Sequence, residues 1–278
     1  MSAGESRADP WPTRIACLCT EAVEVLYALG EADRIAGISG FTVRPPEARR
    51  DKPKISGFSS GKLERILVVE PDLVLAFSDL QADMCRDLVR AGIEVHVFNQ
   101  RSIDGILRMI VTTGALVGRA AEAQALVTDL ARGLDAARAR GEARIARNGR
   151  RLRVYFEEWD APLISGIRWV SELITLAGGE DVFADFATRH SAQERRIEDP
   201  LEVVARAPEI IIGSWCGKKF QPDHLRARPG WADVPAVAHD RLYEIKSPLI
   251  LAPGIAALTD GLAALEACLD AALGGGTA

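Results

Sequence analysis

Short apolar stretches alternate along the chain with longer segments whose apolar residues recur at helical spacing. The stretches predict strands, and the longer segments predict the amphipathic helices that connect them. In the first half, strands are predicted at residues 15–19, 34–39, 72–77 and 93–98, and helices at 20–30, 62–70 and 79–91, with a loop over 40–53 and a further helix opening at Ser102. This order is typical of parallel sheets with helical crossovers.

Residues 119–148 contain Ala and Arg throughout, leucines at helical spacing and no proline. This predicts one rigid helix of roughly 45 Å at about 1.5 Å per residue. After Gly149 the alternation resumes, with strands predicted at 152–157, 209–213 and 242–245 and helices at 170–177, 199–207 and 255–272. The expected fold class is α/β, with two Rossmann-like lobes of mostly parallel strands joined by one long α-helix. The N-terminal lobe is placed at 14–118, the connecting helix at 119–149 and the C-terminal lobe at 150–272.

Two landmarks recur with the same spacing along the chain. The strand that begins at Arg14 has a counterpart that begins at Arg151. Pro71, before the run DLVLAF, has a counterpart in Pro208, before EIIIGS, and the separation is the same in both pairs. One shared offset indicates two similar lobes, although strands that follow a proline are common in α/β units.

The composition indicates which classes of partner the chain can be expected to bind. It has 278 residues, 48% hydrophobic, with a net charge of −5, which is typical of a globular protein with room for two domains and gives no sign of nucleic-acid binding. No apolar run reaches the length of about 18 residues that a membrane span requires, so no membrane insertion is expected. We expect a monomer whose partner is a small-molecule ligand.

The N-terminal segment and the cysteines bear on location. Residues 1–12 contain two acids, two prolines and no apolar run, so as written the chain is expected to lack an export signal and to be cytoplasmic. A periplasmic location is the expectation if the natural start lies further upstream. The five cysteines are scattered and mostly lie in apolar runs, which indicates reduced, buried thiols.

Candidate ligand contacts follow the predicted strands, because ligands of open parallel sheets sit at the carboxyl ends of the strands. Aromatic and charged residues gather there although the chain is only 6% aromatic. The candidate ligand-binding residues are Phe41, Arg44, Phe58, Phe77, Glu158, Trp159, Arg168, Trp169, Trp215 and Lys218. If the two lobes face each other, these residues line a cleft that stacks on a flat or bulky ligand.

Catalysis and metal binding find little support in the sequence. The four histidines are dispersed and no phosphate loop, GxGxxG or GxSxG motif is present, so no metal site, cofactor or catalytic residue is assigned. Glu157, Glu158 and Asp160 form the one acidic cluster that suits an enzyme. Glu157 and Glu158 are adjacent, however, and point to opposite faces while the strand continues, so polar recognition of a ligand is the better explanation.

The order of these motifs resembles that of the substrate-binding proteins of the cobalamin and ferric-siderophore type, and most closely the cobalamin-binding members. The resemblance covers residues 14–269 and is carried by Thr20 and Glu21 at the first helix, Pro45 and Pro46, the run LERILVVEPDLVLAF, the long helix and the run VVARAPEIII. It implies two α/β lobes joined by a helix, and aromatic ligand contacts where Phe41, Phe58 and Phe77 stand.

The resemblance also implies docking to an ABC permease through a surface glutamate in each lobe. Glu64 matches the first position, seven residues before Pro71. Leu201 occupies the second position, and Glu202 lies one residue away. The interpretation is a two-lobed protein that binds a bulky, partly planar metabolite, such as the corrinoid cobalamin, either for an ABC importer or as a cytoplasmic derivative. Two alternatives stay open: a hydrolase of a nucleoside-like or tetrapyrrole-like metabolite that uses Glu157 or Glu158, and a ferric-siderophore binder.

Overall fold

The computed structural model describes residues 10–57 and 61–274. Phe58 and residues 1–9 of the segment on which the expectation about export rests lie outside the described residues. The chain divides into two compact units, one comprising Met1–Gln100 with Asp104–Thr128 and the other Arg101–Ile103 with Asp129–Ala278.

The first unit contains a five-stranded parallel sheet with strand order β3-β2-β1-β4-β5. Its strands are β1 (Ile15–Cys17), β2 (Ile35–Ser39), β3 (Lys54–Ser56), β4 (Leu73–Phe77) and β5 (Glu94–Phe98). The helices along this part of the chain are α1 (Thr20–Ala28), α2 (Pro46–Asp51), α3 (Leu63–Leu67), α4 (Ala82–Arg90) and α5 (Ile103–Leu116). All five residues of β4 are buried, as expected of a central strand covered on both faces.

The long helix predicted between the two halves is present as α6 (Ala120–Asn148), which has 29 residues. The division between the two units falls within it, after Thr128. Gly141 on this helix lies so close to the chain after α7 (Arg168–Leu176) that an added Cβ would collide with the carbonyl oxygen of Leu176.

The second unit contains a mostly parallel sheet with strand order β10-β9-β6-β7, with β8 beside β6. Its strands are β6 (Leu152–Asp160), β7 (Leu163–Ser165), β8 (Gly179–Asp181), β9 (Ile210–Gly213) and β10 (Leu242–Glu244). After α7, its helices are α8 (Ala184–Ala187), α9 (Leu201–Ala205), α10 (Pro222–Arg226), α11 (Pro235–Ala238), α12 (Ser247–Ile250) and α13 (Leu262–Gly274). Among these described strands, only β7 runs antiparallel to its neighbour. The predicted α/β fold class is confirmed.

The shared offset between the two halves is present in the folded chain. β1 and β6 begin at Ile15 and Leu152, and β4 and β9 begin at Leu73 and Ile210, so both pairs of strands have the same separation. The residues that precede the two prolines, Glu70 and Ala207, both have positive φ, at 45° and 41°. The residues that follow them, Asp72 and Glu209, each accept a hydrogen bond from the backbone N–H of the neighbouring strand segment. The two units therefore share a local strand, helix, proline and strand plan.

Several predicted elements differ from the observed ones. β6 continues to Asp160 rather than ending at Glu157, because β7 pairs with its last residues. The predicted loop 40–53 contains α2, whose first residue is Pro46. The sequence predicts Thr20 as the cap of the first helix, but Cys19 occupies the N-cap position of α1. The predicted closing helix 255–272 is divided, with α13 starting at Leu262 after a π-helical turn over Ala257–Gly261.

Aromatic residues concentrate in the core of the second unit. Tyr155, Phe183 and Trp231 are almost fully buried there, and the ring of Tyr155 lies 5.3 Å from that of Phe183 and 6.2 Å from that of Trp231. Four of the five cysteines are buried free thiols, as predicted, whereas Cys216 is exposed. Within the described residues, no helix combines the length and apolar character that crossing a membrane demands.

Candidate ligand-binding site

In the first unit, two of the predicted aromatic residues differ in exposure. Phe41, in the turn after β2, is 55% exposed. Phe77 is the last residue of β4 and only 6% exposed, opposite Phe98 in the register with β5. Phe77 is therefore a core residue, because the pairing with β5 extends to the end of the strand. Phe41 stays a predicted contact.

Arg44 lies in the same turn region and is bound to an acid of α1. Its Nε donates to Oε1 of Glu24 at 2.9 Å, and its side chain is 36% exposed. The positive charge predicted for the edge of the site is thus offset by a carboxylate of the same unit.

Glu21 is a buried acid in the first turn of α1, close to the carboxyl end of β1. It is 3% exposed, and Nε2 of Gln100, after β5, donates to its Oε1 at 3.3 Å. Burial raises the pKa of Glu21 from 4.5 to about 7, against the opposing effect of hydrogen bonds from Thr20 and Gln100. The acidic residue in the first turn of α1 was the visible signal, but its burial depends on how the sheet edge packs.

In the second unit, three acids near the end of β6 each bind a cation from a different segment. Glu157, which is 0% exposed, accepts hydrogen bonds from Arg228 at 2.6 and 2.9 Å and from Nε1 of Trp215 at 3.0 Å. Burial raises the pKa of Glu157, and the Arg228 guanidinium opposes that rise. A carboxylate enclosed in this way has no route to a substrate.

Glu158 faces a second arginine, which no sequence pattern singled out. Arg195 donates to both of its carboxylate oxygens, at 2.6 and 3.1 Å, although the arginine itself is 1% exposed. Arg195 also donates to the carbonyl oxygen of Ser165, at the end of β7. Glu158 is therefore a predicted ligand contact that already serves as the partner of a buried cation.

Lys218 lies between two indole rings and beside the third acid. Its ammonium is 4.7 Å from the ring centroid of Trp159 and 5.0 Å from that of Trp215, and it forms an ion pair with Asp160. Trp159 is half-buried, and its Nε1 donates to the carbonyl oxygen of Ala161 at 2.9 Å. The structure thus brings together three of the predicted site residues, Trp159, Trp215 and Lys218.

Two predicted ligand-binding tryptophans are core residues. Trp169 is the second residue of α7 and 3% exposed, and its Nε1 donates to the carbonyl oxygen of Ile250 at 2.8 Å. Trp215 is also 3% exposed, because its ring packs against Phe220 while its Nε1 binds Glu157. Trp215 therefore packs beneath Lys218 in the core and has no exposed ring face for a ligand. Arg168, which is exposed at the start of α7, donates to Glu172 at 2.8 Å.

The two predicted docking glutamates have different surroundings. Glu64 is exposed on α3. Glu202, on α9, accepts a hydrogen bond from Arg206 at 2.5 Å, and the same arginine donates to Asp185 at 2.6 and 3.0 Å. The carboxylate of Glu202 is thus already engaged within its own unit.

Comparison with known proteins decides the family. The periplasmic binding protein family model matches residues 15–249. The chain belongs to this family. It is therefore a substrate-binding protein rather than an enzyme, of a family whose members bind small molecules and work with ABC transporters. The two-lobed architecture that the sequence resemblance implied is the architecture of this family.

Individual relatives agree with this assignment. A vitamin B12-binding protein of Vibrio parahaemolyticus is 26% identical over 248 residues, which cover 86% of this chain and 83% of the relative. The solved structure of the periplasmic vitamin B12 binding protein of Vibrio cholerae aligns with a TM-score of 0.73 and 20% identity over 94% of this chain and 98% of that one. A periplasmic heme-binding protein from Roseiflexus sp. RS-1 aligns with a TM-score of 0.77 and 22% identity over 92% and 98%. The two solved structures have the same fold as this chain.

Proposed function

We propose that this binding protein takes a corrinoid such as cobalamin as its substrate. The observation that carries the proposal is the half-buried indole of Trp159 beside Lys218, at the carboxyl end of the central strand β6. An indole held in this way offers a rigid apolar face for a large ring system, and a neighbouring ammonium supplies polar contacts at its edge. Phe41, more than half exposed after β2 of the first unit, is a second such face.

The similarity to curated relatives supports the same substrate class. The Vibrio parahaemolyticus relative is named for binding vitamin B12, and it matches over most of both chains. A second relative, from Halobacterium salinarum, is named as cobalamin-binding and is 28% identical over 207 residues, which cover 73% of this chain and 54% of the relative.

The ferric-siderophore alternative has less support from the residues. A ferric-siderophore site is expected to be more basic or richer in tyrosine. The three tyrosines do not supply such a site, and Arg195, Arg228 and Lys218 are each paired with an acid. Tyr155 is fully buried in the core of the second unit, Tyr27 lies on α1, and Tyr243 lies on β10. The hydrolase alternative is set aside with the family assignment, and the enclosure of Glu157 by Arg228 and Trp215 removes one of its two candidate acids.

We propose Phe41, Trp159, Arg168 and Lys218 as ligand contacts. Glu64 is the proposed contact with the permease of an ABC transporter, since it is exposed whereas Glu202 is bound by Arg206. The periplasm is the compartment in which such docking takes place.

Titration calorimetry with cyanocobalamin, cobinamide, hemin and a ferric hydroxamate siderophore tests the substrate. We expect cyanocobalamin and cobinamide to bind with a dissociation constant at or below about 1 μM, equivalent to about −8 kcal/mol. Chromatography of the same mixtures checks that neither corrinoid is converted. Binding of hemin or the siderophore, with no heat from either corrinoid, would overturn the proposal.

A further inference from the structure

Asp160 and Lys218, which form an ion pair, differ in the exposure of their side chains. The carboxylate side chain of Asp160 is 9% exposed, whereas the side chain of Lys218 is 41% exposed. The lysine side chain is therefore partly exposed, whereas its counter-ion is nearly buried. Removing the cation from such a pair leaves a desolvated carboxylate without compensation, which is much costlier than breaking an exposed ion pair.

Two indoles limit where the ammonium can go. Trp159 and Trp215 have ring centroids 4.7 and 5.0 Å from Nζ, and Trp215 is fixed by its hydrogen bond to the buried Glu157. The lysine is thus held by a carboxylate and two ring faces at once. A ligand carboxylate that recruited Lys218 would have to compete with all three contacts.

The other two cations near the end of β6 are also compensated. Arg228 is bound by Glu157 and Arg195 by Glu158, each through two hydrogen bonds. Lys219, next to Lys218, is exposed, and the nearby Glu244 forms an ion pair with Lys246 at 2.7 Å. Each of the three acids near the end of β6 is thus paired with a cation, so a ligand carboxylate that binds Arg228, Arg195 or Lys218 has to compete with an acid already in place.

We propose that Asp160 is a specificity-determining residue that, by holding Lys218, makes this edge select ligands with uncharged amide side chains over carboxylate-bearing analogues. The inference rests on the proposed corrinoid function and deepens it. Amides can accept a hydrogen bond from the ammonium of Lys218 without displacing Asp160, whereas a carboxylate gains only by taking the lysine from its partner. An amide-substituted corrin therefore fits this edge better than a corrin or porphyrin with ionised acid side chains.

The test compares two corrinoids that differ only around the ring periphery and its tail: cobinamide, whose side chains are amides, and cobyrinic acid, whose side chains are carboxylates. Calorimetry is done at fixed ionic strength with the wild type and Asp160→Asn. We expect the wild type to bind cobinamide at least about tenfold more tightly, a difference of about 1.4 kcal/mol. In Asp160→Asn, cobyrinic acid should gain about tenfold while cobinamide changes by less than about threefold.

Two further variants separate the effect of the Asp160–Lys218 pair from the effect of the protein's net charge. Asp223→Asn removes one negative charge from an acid on α10 whose side chain is 91% exposed, and it should leave the preference unchanged. Adding Lys218→Met to Asp160→Asn should abolish the gain for cobyrinic acid. Circular dichroism and thermal unfolding check that each variant is folded.

The outcomes distinguish the two proposals. Equal binding of both corrinoids by the wild type, or an unchanged preference in folded Asp160→Asn, overturns the role of Asp160 and leaves the corrinoid function standing. A gain in Asp223→Asn equal to that in Asp160→Asn also overturns it, since net charge would then explain the effect. If neither corrinoid binds the wild type while hemin does, the proposed function fails and this inference fails with it.

Discussion

Arg228 donates two hydrogen bonds to the carboxylate of Glu157, which no solvent reaches. The two residues are 71 positions apart in the chain, and the arginine also packs 4.5 Å above the ring of Trp231. Burial alone raises the pKa of this acid, and the guanidinium is the main opposing influence. The pair therefore fixes the chain after α10 to the central strand only while both charges are present.

Replacing Arg228 with methionine should destabilise the protein by about 3 kcal/mol near pH 8, because a buried carboxylate is left without its cation. The loss should be smaller near pH 5. Without the arginine the folded-state pKa of Glu157 rises further above its unfolded value, so stability is retained at low pH and lost as pH rises. Urea unfolding at the two pH values measures both losses, and equal losses would contradict this explanation. The double variant Arg228→Met with Glu157→Gln should recover part of the stability at pH 8.

Glu21 should make folding stability depend on pH. Its pKa is raised from 4.5 to about 7, so the folded chain holds a proton more tightly than the unfolded chain between these values, and stability falls as pH rises through them. The shift corresponds to about 3 kcal/mol. The free energy of unfolding of Glu21→Gln, relative to that of the wild type, should therefore be about 2 kcal/mol more favourable to the variant at pH 8 than at pH 5. Denaturant unfolding at the two pH values measures this difference. Glu47→Gln, at an exposed position of α2, is the control and should show no such gain.

Replacing two glycines of α6 with alanine should change the free energy of unfolding in opposite directions. An added Cβ at Gly141 would collide with the carbonyl oxygen of Leu176, whereas one at Gly133 would meet no atom within 4 Å. Gly141→Ala should therefore lower the free energy of unfolding by about 1 to 3 kcal/mol. Gly133→Ala should raise it by up to about 1 kcal/mol, since alanine favours a helix over glycine. Thermal and urea unfolding of both variants give the comparison, and a shared sign would contradict the close approach at Gly141.

Trp159→Leu should weaken corrinoid binding by about tenfold while the protein remains folded, because leucine retains apolar contact but loses the flat indole face. Trp11→Leu, at an exposed tryptophan of the first unit, should bind as the wild type does. Calorimetry with cobinamide gives the affinities, and thermal unfolding of each variant reports folding. An unchanged affinity in Trp159→Leu would remove this indole from the proposed ligand contacts.

The predicted strands are present in the structure because a buried strand appears in the sequence as a local run of apolar residues. β4 and β9 stand out as apolar runs after a proline, and both are fully buried. The short strands β7 and β8 carry no such signature, since each has only three residues. The prediction that Glu157 and Glu158 cannot both reach one substrate also followed from strand geometry, and the two carboxylates do bind different arginines.

The candidate site was predicted less completely. Trp159 and Lys218 lie near the carboxyl ends of β6 and β9, where the sequence predicts ligand contacts, but position along a strand does not tell an exposed ring from a buried one. The sequence predicts Trp169 and Trp215 as ligand contacts, but both are core residues, and each indole N–H is satisfied inside the protein. Arg195 and Arg228 were missed, because nothing near them in the sequence marks the acids they bind.

The sequence by itself determined the alternation of strands and helices, the long α6, the shared offset between the two halves and the family resemblance. These follow from hydrophobic periodicity and from proline and glycine signals, which act over a few neighbouring residues. Only the tertiary structure decided which charges are compensated and which rings are covered. Glu158 and Arg195 are 37 residues apart in the chain. Their contact depends on how β6, β7 and the following turn pack, because desolvation and ion pairing are properties of neighbours in space.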